Sequence, residues 1–210
     1  IGDVWSAAPV KNDQTASAYR EEGLVMMFPA LRGGNDNPGK KEAFLGEVDD
    51  VVAAADFLAA QDYVDPKRIY LGGHSTGGTL VLLVAESTDK FRAVFSFGPA
   101  ADVRGYPPEY SPFDKSDLAE ALVRSPIYWM ASIRSPTFVF EGDGGNVDSL
   151  RFMKKFSKNP RIHFHEIKGA DHFATLAPTN RLIARKLRDD QGPATNFTCS
   201  PEELNKPFGQ

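Results

Sequence analysis

The chain has 210 residues, of which 41% are hydrophobic and 25% charged, with a formal net charge of −4. That length and composition fit one globular unit, residues 1–210, with a core on both faces of a sheet and a polar tail over 190–210. Acidic and basic residues are interspersed, which excludes the basic footprint of a nucleic-acid binder or of a protein held on an anionic membrane.

No apolar run approaches the roughly 20 residues needed to cross a bilayer, and the first residues lack the order of a secretory signal. The compartment stays open, the cytoplasm being the default, and so does the oligomeric state. A single cysteine, Cys199, excludes an internal disulfide framework; in its polar surroundings it reads as a bystander. Asn196-Phe197-Thr198 fits a glycosylation sequon, relevant only to a secreted chain.

In chain order, Leu24 to Pro29 is a short apolar run closed by proline, read as a buried strand leading into the polar loop Arg32-Gly33-Gly34. Loops after parallel strands often line active sites. From Glu47 to Leu58 the apolar positions Val48, Val51, Val52, Ala55 and Leu58 share one face of an amphipathic helix. Arg68 to Leu71 is strand-like and precedes Gly72-Gly73-His74-Ser75-Thr76-Gly77-Gly78, after which Leu80 to Ala85 is apolar on every face. Ala93 to Phe97 is a second buried strand.

The stretch from Ala100 to about Asp114 is rich in proline, tyrosine and aspartate and has no period, as in lids and substrate loops. Within it, Tyr106-Pro107-Pro108-Glu109-Tyr110 is a candidate pocket wall. Helical stretches are expected over 115–123 and 127–133. Thr137 to Phe140 is another strand, opening into Glu141-Gly142-Asp143-Gly144-Gly145-Asn146 before a helix from Val147 to Phe156. Ile162 to Ile167 alternates like a strand with one wetter face, and a last helix covers about 178–188. The tail after Asp189 is expected to pack loosely. Alternating strands and helices predict an α/β fold with a mostly parallel sheet covered on both faces.

Gly73-His74-Ser75-Thr76-Gly77 has the G-x-S-x-G form of a nucleophile elbow, a strand-to-helix turn that lifts a serine hydroxyl out of the sheet. Residues two positions either side of the serine must lack a Cβ for strand and helix to approach, which assigns that role to Gly73 and Gly77. By composition such a pattern arises by chance on the order of 0.1 times in a chain this long, so the strand before it and the apolar helix after it carry the reading. A phosphate-cradling glycine loop is the alternative; it lacks the lysine expected at the helix start.

A serine hydroxyl needs a base, and the base an orienting group. Of four histidines, His74 is better placed to pack beside the elbow than to face Ser75. His163 and His165 share one face of a strand, a sheet surface rather than a metal site. His172, between the last strand and the last helix, is the expected general base. The candidate acids after Phe140 are Glu141, Asp143 and Asp148; Asp143, where the chain opens into glycine turns, is preferred. Asp148 is the alternative acid, with a competing role in the first turn of a helix. Asp171 reads as turn chemistry. The Thr76 backbone N–H is the expected oxyanion donor. No metal and no cofactor is expected.

Taken together, Arg32-Gly33-Gly34, Gly46-Glu47-Val48-Asp49-Asp50, Asp65-Pro66-Lys67-Arg68-Ile69, the elbow, Ser125-Pro126-Ile127, Ser135-Pro136-Thr137 and Asp171-His172-Phe173 resemble the catalytic domain of the prolyl oligopeptidase family of α/β-hydrolases over residues 24–188. The resemblance implies Ser75 as nucleophile, His172 as base and an aspartate after Phe140 as the third member. It places that aspartate three residues after Gly142, where Gly145 stands, so Asp143 serves only in a shortened loop. It also implies strands and an oxyanion segment ahead of this stretch, so the expected fold lacks the early N-terminal strands. The implied activity is hydrolysis of a small peptide or an ester, with carboxylesterase or a non-catalytic scaffold as alternatives.

Overall fold

A computed structural model describes residues 13–108 and 111–209. Four strands form one parallel sheet in the order β1 (Leu71–His74), β2 (Val94–Phe97), β3 (Thr137–Gly142) and β4 (Ile162–Ile167). The register runs Leu71 against Val94, Val94 against Thr137 and Thr137 against Ile162, so the strand beginnings are level and their C-terminal ends share one rim.

Helices cover both faces. On one face lie α2 (Gly46–Ala59), α3 (Thr76–Ser87) and α5 (Val147–Phe156), whose Val51, Ala55, Leu80, Leu83, Leu150 and Met153 pack against Val94 and Val139. On the other lie α1 (Ser17–Glu21), α6 (Leu176–Arg188) and α7 (Pro201–Asn205), with Tyr19, Ile183, Leu187 and Leu204 against Phe95, Phe97, Phe138 and Phe140. Successive strand residues point to opposite faces, which explains why Phe95 and Phe97 meet one helix layer and Val94 the other. A short α4 (Leu118–Arg124) and two 3₁₀ turns, Pro126–Tyr128 and Met130–Ser132, join β2 to β3 where longer helices were expected.

Two expectations fail. Leu24 to Pro29 forms no strand and pairs with none among the described residues; Leu24 and Met26 rest on the aromatic layer while Val25 and Phe28 are exposed. The tail, expected to be loose, is anchored. Phe197 is 5% exposed and sits edge-on to Phe95 and Phe138. Asp190 is fully buried, accepting from Arg92, from the Tyr70 hydroxyl and from Thr195. A Ser200 capping box then starts α7, which packs on β4.

Candidate active site

The turn from β1 to α3 is as tight as its glycines require. A Cβ on Gly73 would stand 2.2 Å from the Gly77 carbonyl oxygen, and one on Gly78 would stand 2.4 Å from that of Phe97. A Cβ on Gly77 would meet nothing within 4 Å, so the second position that needs glycine is Gly78 and not Gly77. The Ser96 hydroxyl donates to the Gly78 carbonyl and seals the same approach from the sheet side.

Between the glycines Ser75 holds φ 58° and ψ −116°, a conformation that costs a residue with a Cβ on the order of 1–3 kcal/mol. Its own N–H donates to Phe97 at 2.8 Å, so the sheet ladder fixes the strained residue. Thr76 opens α3, where backbone N–H groups lack intrahelical partners, directly after Ser75.

Ser75 and His172 line one cavity of about 320 Å³ at the C-terminal rim of the sheet, together with Tyr106, Asn146 and Ser149. Tyr106, the part of the expected proline-tyrosine wall that reaches the cavity, hydrogen-bonds Thr79 at 2.7 Å, and Thr79 in turn accepts from the Ala100 N–H. Burial raises the Tyr106 hydroxyl above its ordinary pKa. Glu109 and Tyr110 lie outside the described residues. The Asn146 amide donates to the Pro99 carbonyl, which leaves its oxygen as an acceptor at the cavity.

The acid beside the imidazole is Glu141. Its Oε2 lies 2.8 Å from His172 Nδ1, and its Oε1 accepts from the Gly142 N–H at 2.7 Å. Glu141 is 1% exposed. An ionised carboxylate accepts from Nδ1–H, and the imidazole then has its Nε2 lone pair free on the wall of the cavity that His172 lines.

The two expected acids are corrected by this geometry. Asp143 is exposed, and its Oδ1 accepts from the Gly169 N–H, tying one loop of the rim to the next. Asp148 has a side chain 97% exposed and stands 3.6 Å from Arg151 on the first turn of α5. Neither bonds His172 among the contacts of the described residues. Gly145, where the resemblance puts an aspartate, has no room for one: a Cβ there would stand 2.5 Å from Glu141 Oε1 and 2.9 Å from the His172 nitrogen. The carboxylate therefore reaches the imidazole from the end of β3, and the loop position it displaces is glycine.

Glu141 left one signal in the sequence. It is a lone charged residue closing an otherwise apolar strand, and a buried carboxylate there requires a partner.

The remaining histidines fall outside the acid–base pair. His74 stacks on His172 with ring centroids 4.4 Å apart, and its Nε2 donates to the His172 carbonyl at 3.0 Å. Burial, then the neighbouring His172, hold His74 below the usual histidine range. His163 and His165 stack on Phe138 and Phe140. Burial pushes His165 down to about 4 and Cys199, 3.4 Å from it, up to about 12. Asp171 caps the turn after it, accepting from the Phe173 and Ala174 N–H groups. Arg32 lies away from the cavity, bound by Asp50 and Glu42. Among the described residues no grouping of three histidine, cysteine or acidic side chains could hold a metal, and no helix is long and apolar enough to cross a membrane.

The model of the prolyl oligopeptidase family matches residues 11–143, more than half of the chain. The chain belongs to that family. Among curated members it is similar to the dual function macrocyclase-peptidase POPB of Galerina marginata, at 29% identity over 110 residues, covering 49% of this chain and 15% of that protein. The POPB of Amanita bisporigera is 30% identical over 124 residues, covering 50% of this chain and 17% of that protein. The matched part thus spans less than a fifth of either relative.

Solved structures extend the likeness of fold. A puromycin-hydrolyzing peptidase of Mycobacterium tuberculosis superposes with a TM-score of 0.60 at 20% identity, covering 75% of this chain and 26% of that one. The 2,6-dihydroxy-pseudo-oxynicotine hydrolase superposes with a TM-score of 0.58 at 17% identity, covering 71% of this chain and 47% of that one. The fold is that of the α/β-hydrolases, with four parallel strands described here. The family match ends at Asp143, so His172 and Gly145 are read from this chain's own geometry.

Proposed function

We propose that this chain carries the catalytic centre of a serine hydrolase that cleaves the ester or amide bond of a small peptide or ester. Ser75 is the nucleophile, His172 the general base, Glu141 the group that orients it, and the Thr76 N–H a donor to the oxyanion. The observation that carries the reading is the His172–Glu141 hydrogen bond of 2.8 Å on the wall of the cavity that strained Ser75 also lines.

In the forward step the Ser75 Oγ–H bond breaks as Oγ bonds the substrate carbonyl carbon, and His172 Nε2 takes the proton. Negative charge develops on the carbonyl oxygen, to which the Thr76 N–H at the helix start donates in this reading. The imidazolium then returns its proton to the departing amine or alcohol, leaving an acyl group on Ser75, and water repeats the sequence to release the acid. Glu141 keeps Nδ1 protonated and stabilises the imidazolium without taking the proton itself. Membership of a peptidase family favours a peptide as substrate.

A fluorophosphonate probe tests this directly, because it reacts only with an activated serine. Labelling of the folded chain that disappears in Ser75→Ala is the expected result. Absence of labelling in protein with a normal circular dichroism spectrum would overturn it and leave a binding or scaffold domain.

A further inference from the structure

A second, larger cavity of about 670 Å³ opens at the other end of α3, between α2, α4 and the Met130–Ser132 turn. It is independent of the catalytic reading: Glu86, on its wall, is eleven residues along the helix from Ser75, about 16 Å away at 1.5 Å per residue. Its volume falls within the range that encloses small organic ligands.

The chemistry of its wall is one-sided. Both carboxyl oxygens of Glu86 are shielded from solvent without a hydrogen-bond partner among the described residues. An unpartnered carboxyl in such a place is costly, and burial holds it well above the usual carboxylate range. Arg32, the cation of this wall, has its charge paired already with two carboxylates, Nε and Nη2 on Asp50 and Nη1 on Glu42. Asp49 adds further negative charge.

The hydroxyls of Ser87 and Ser132 also line the cavity, and each gives its hydrogen to a carbonyl, that of Leu83 and those of Glu86 and Trp129 respectively. They can therefore offer only lone pairs to a guest. The indole of Trp129 has likewise spent its N–H on the Leu122 carbonyl and presents apolar surface, beside Val123.

We infer that this cavity binds an organic cation, a primary ammonium group on an apolar body, with Glu86 as its counter-ion and the two serine hydroxyls accepting its remaining hydrogens. Three acceptors match the three donors of an –NH₃⁺ group, and the carboxylates of Glu42 and Asp49 on the same wall oppose an anion. Binding asks of the protein a rotation of the Glu86 side chain toward the space it borders and the release to solvent of the carboxyl proton that burial favours. Trp129 supplies the flat apolar wall that an aryl body and its charge favour.

The test uses the full chain and two probes of nearly equal shape, 2-phenylethylammonium and the neutral 2-phenylethanol, by titration calorimetry at pH 7.5. Saturable one-to-one binding of the amine is expected, at least tenfold weaker for the alcohol. Glu86→Gln, which keeps the shape of the side chain, should weaken the amine at least tenfold and leave the alcohol unchanged. Val123→Trp, which narrows the mouth from another element, should weaken both probes. Failure of the amine to saturate, equal binding of the two probes, or undiminished amine binding in folded Glu86→Gln would each overturn the inference. None of these outcomes bears on whether Ser75 reacts with a fluorophosphonate.

Discussion

Glu141 and Asp190 are both carboxylates with almost no solvent exposure, and each is held by hydrogen bonds, yet their partners differ in kind. Asp190 faces a permanent cation: Arg92 donates twice, and Tyr70, Thr195 and the Asn196 N–H donate as well. Burial on its own would raise this carboxyl; the hydrogen bonds outweigh it and hold the group far below the usual range. Glu141 faces an imidazole that can gain and lose a proton, with one backbone N–H as second partner. A permanent cation makes a lock, and it ties the tail after α6 to the sheet. A titratable partner suits the acid–base role proposed for the pair beside the Ser75 cavity, whereas the other acid lies beneath the C-terminal segment.

That contrast breaks most sharply at the imidazole. His172→Ala is expected to lower turnover by on the order of 10³-fold or more with the unfolding transition little changed, because the base is lost while the layers remain packed. Steady-state rates on an activated ester, beside a thermal melt, check both halves. Glu141→Gln should follow at roughly 10²–10⁴-fold, since an amide of the same shape leaves the ring without its anionic acceptor. Near wild-type rates in either variant would remove that residue from the mechanism.

A third variant asks whether the carboxylate or its residue number matters. Gly145 lies so close to the Glu141 carboxyl and the His172 backbone that a carboxylate projected from position 145 would occupy nearly the same space. Glu141→Ala clears the 2.5 Å contact with the carboxyl and leaves the 2.9 Å one with the His172 nitrogen, so its combination with Gly145→Asp should recover about tenfold over Glu141→Ala alone once that backbone yields slightly. Gly145→Asp with Glu141 retained should be inactive and destabilised, through collision and like charge. A double variant no faster than the single one would mean that the strand-end origin of the acid is required.

At Asp190 the expected loss is of stability, not rate. Asp190→Asn removes the anion from a buried Arg92 and should cost about 3 kcal/mol in urea unfolding at pH 7. The folded-state pKa is depressed, so the wild-type advantage is present above the ordinary carboxylate value near 4 and fades as pH falls below it. The two unfolding midpoints should thus converge between about pH 4 and pH 2. A gap independent of pH would mean that Asp190 acts through packing alone.

These contrasts mark where sequence reasoning reached and where it stopped. β2, β3, β4, the strand-to-helix turn at Ser75 and the histidine beyond the last strand are legible because apolar runs bounded by glycine and proline report burial and turning, whereas β1 (Leu71–His74) begins only where the expected run from Arg68 to Leu71 ends. Leu24 to Pro29 was misread for the same reason, since an apolar run reports burial and says nothing of pairing. The tail hid its anchors, because Phe197, Leu204 and Asp190 are scattered through polar sequence and gain meaning only against Phe95, Phe138 and Arg92. Glu141 was passed over in favour of Asp143 because the loop after Gly142 was the expected source of the acid. Which side of a turn a carboxyl faces depends on where the facing loop comes down, and Ala170 and Asp171 crowd Gly142 closely enough to fix that.

Asp143 supplies the smallest effect and the finest test of this distinction. Its Oδ1 accepts from the Gly169 N–H at 3.0 Å, and its own N–H donates to Ile167, so it joins the β3–α5 loop to the loop that carries His172. Gly169 sits at φ 77°, in the left-handed region, and this contact helps set the path of the chain into Asp171 and His172. The side chain is exposed, so water can replace the lost acceptor in Asp143→Asn, or the amide oxygen can take its place. Turnover should fall by about threefold or less, with a stability loss of about 0.5 kcal/mol. The pH–rate profile decides between the two acids: it should keep its shape in Asp143→Asn and shift in Glu141→Gln, because only the second touches the ring whose protonation the rate follows. A loss in Asp143→Asn as large as that in Glu141→Gln, with a displaced profile, would return the orienting role to the loop.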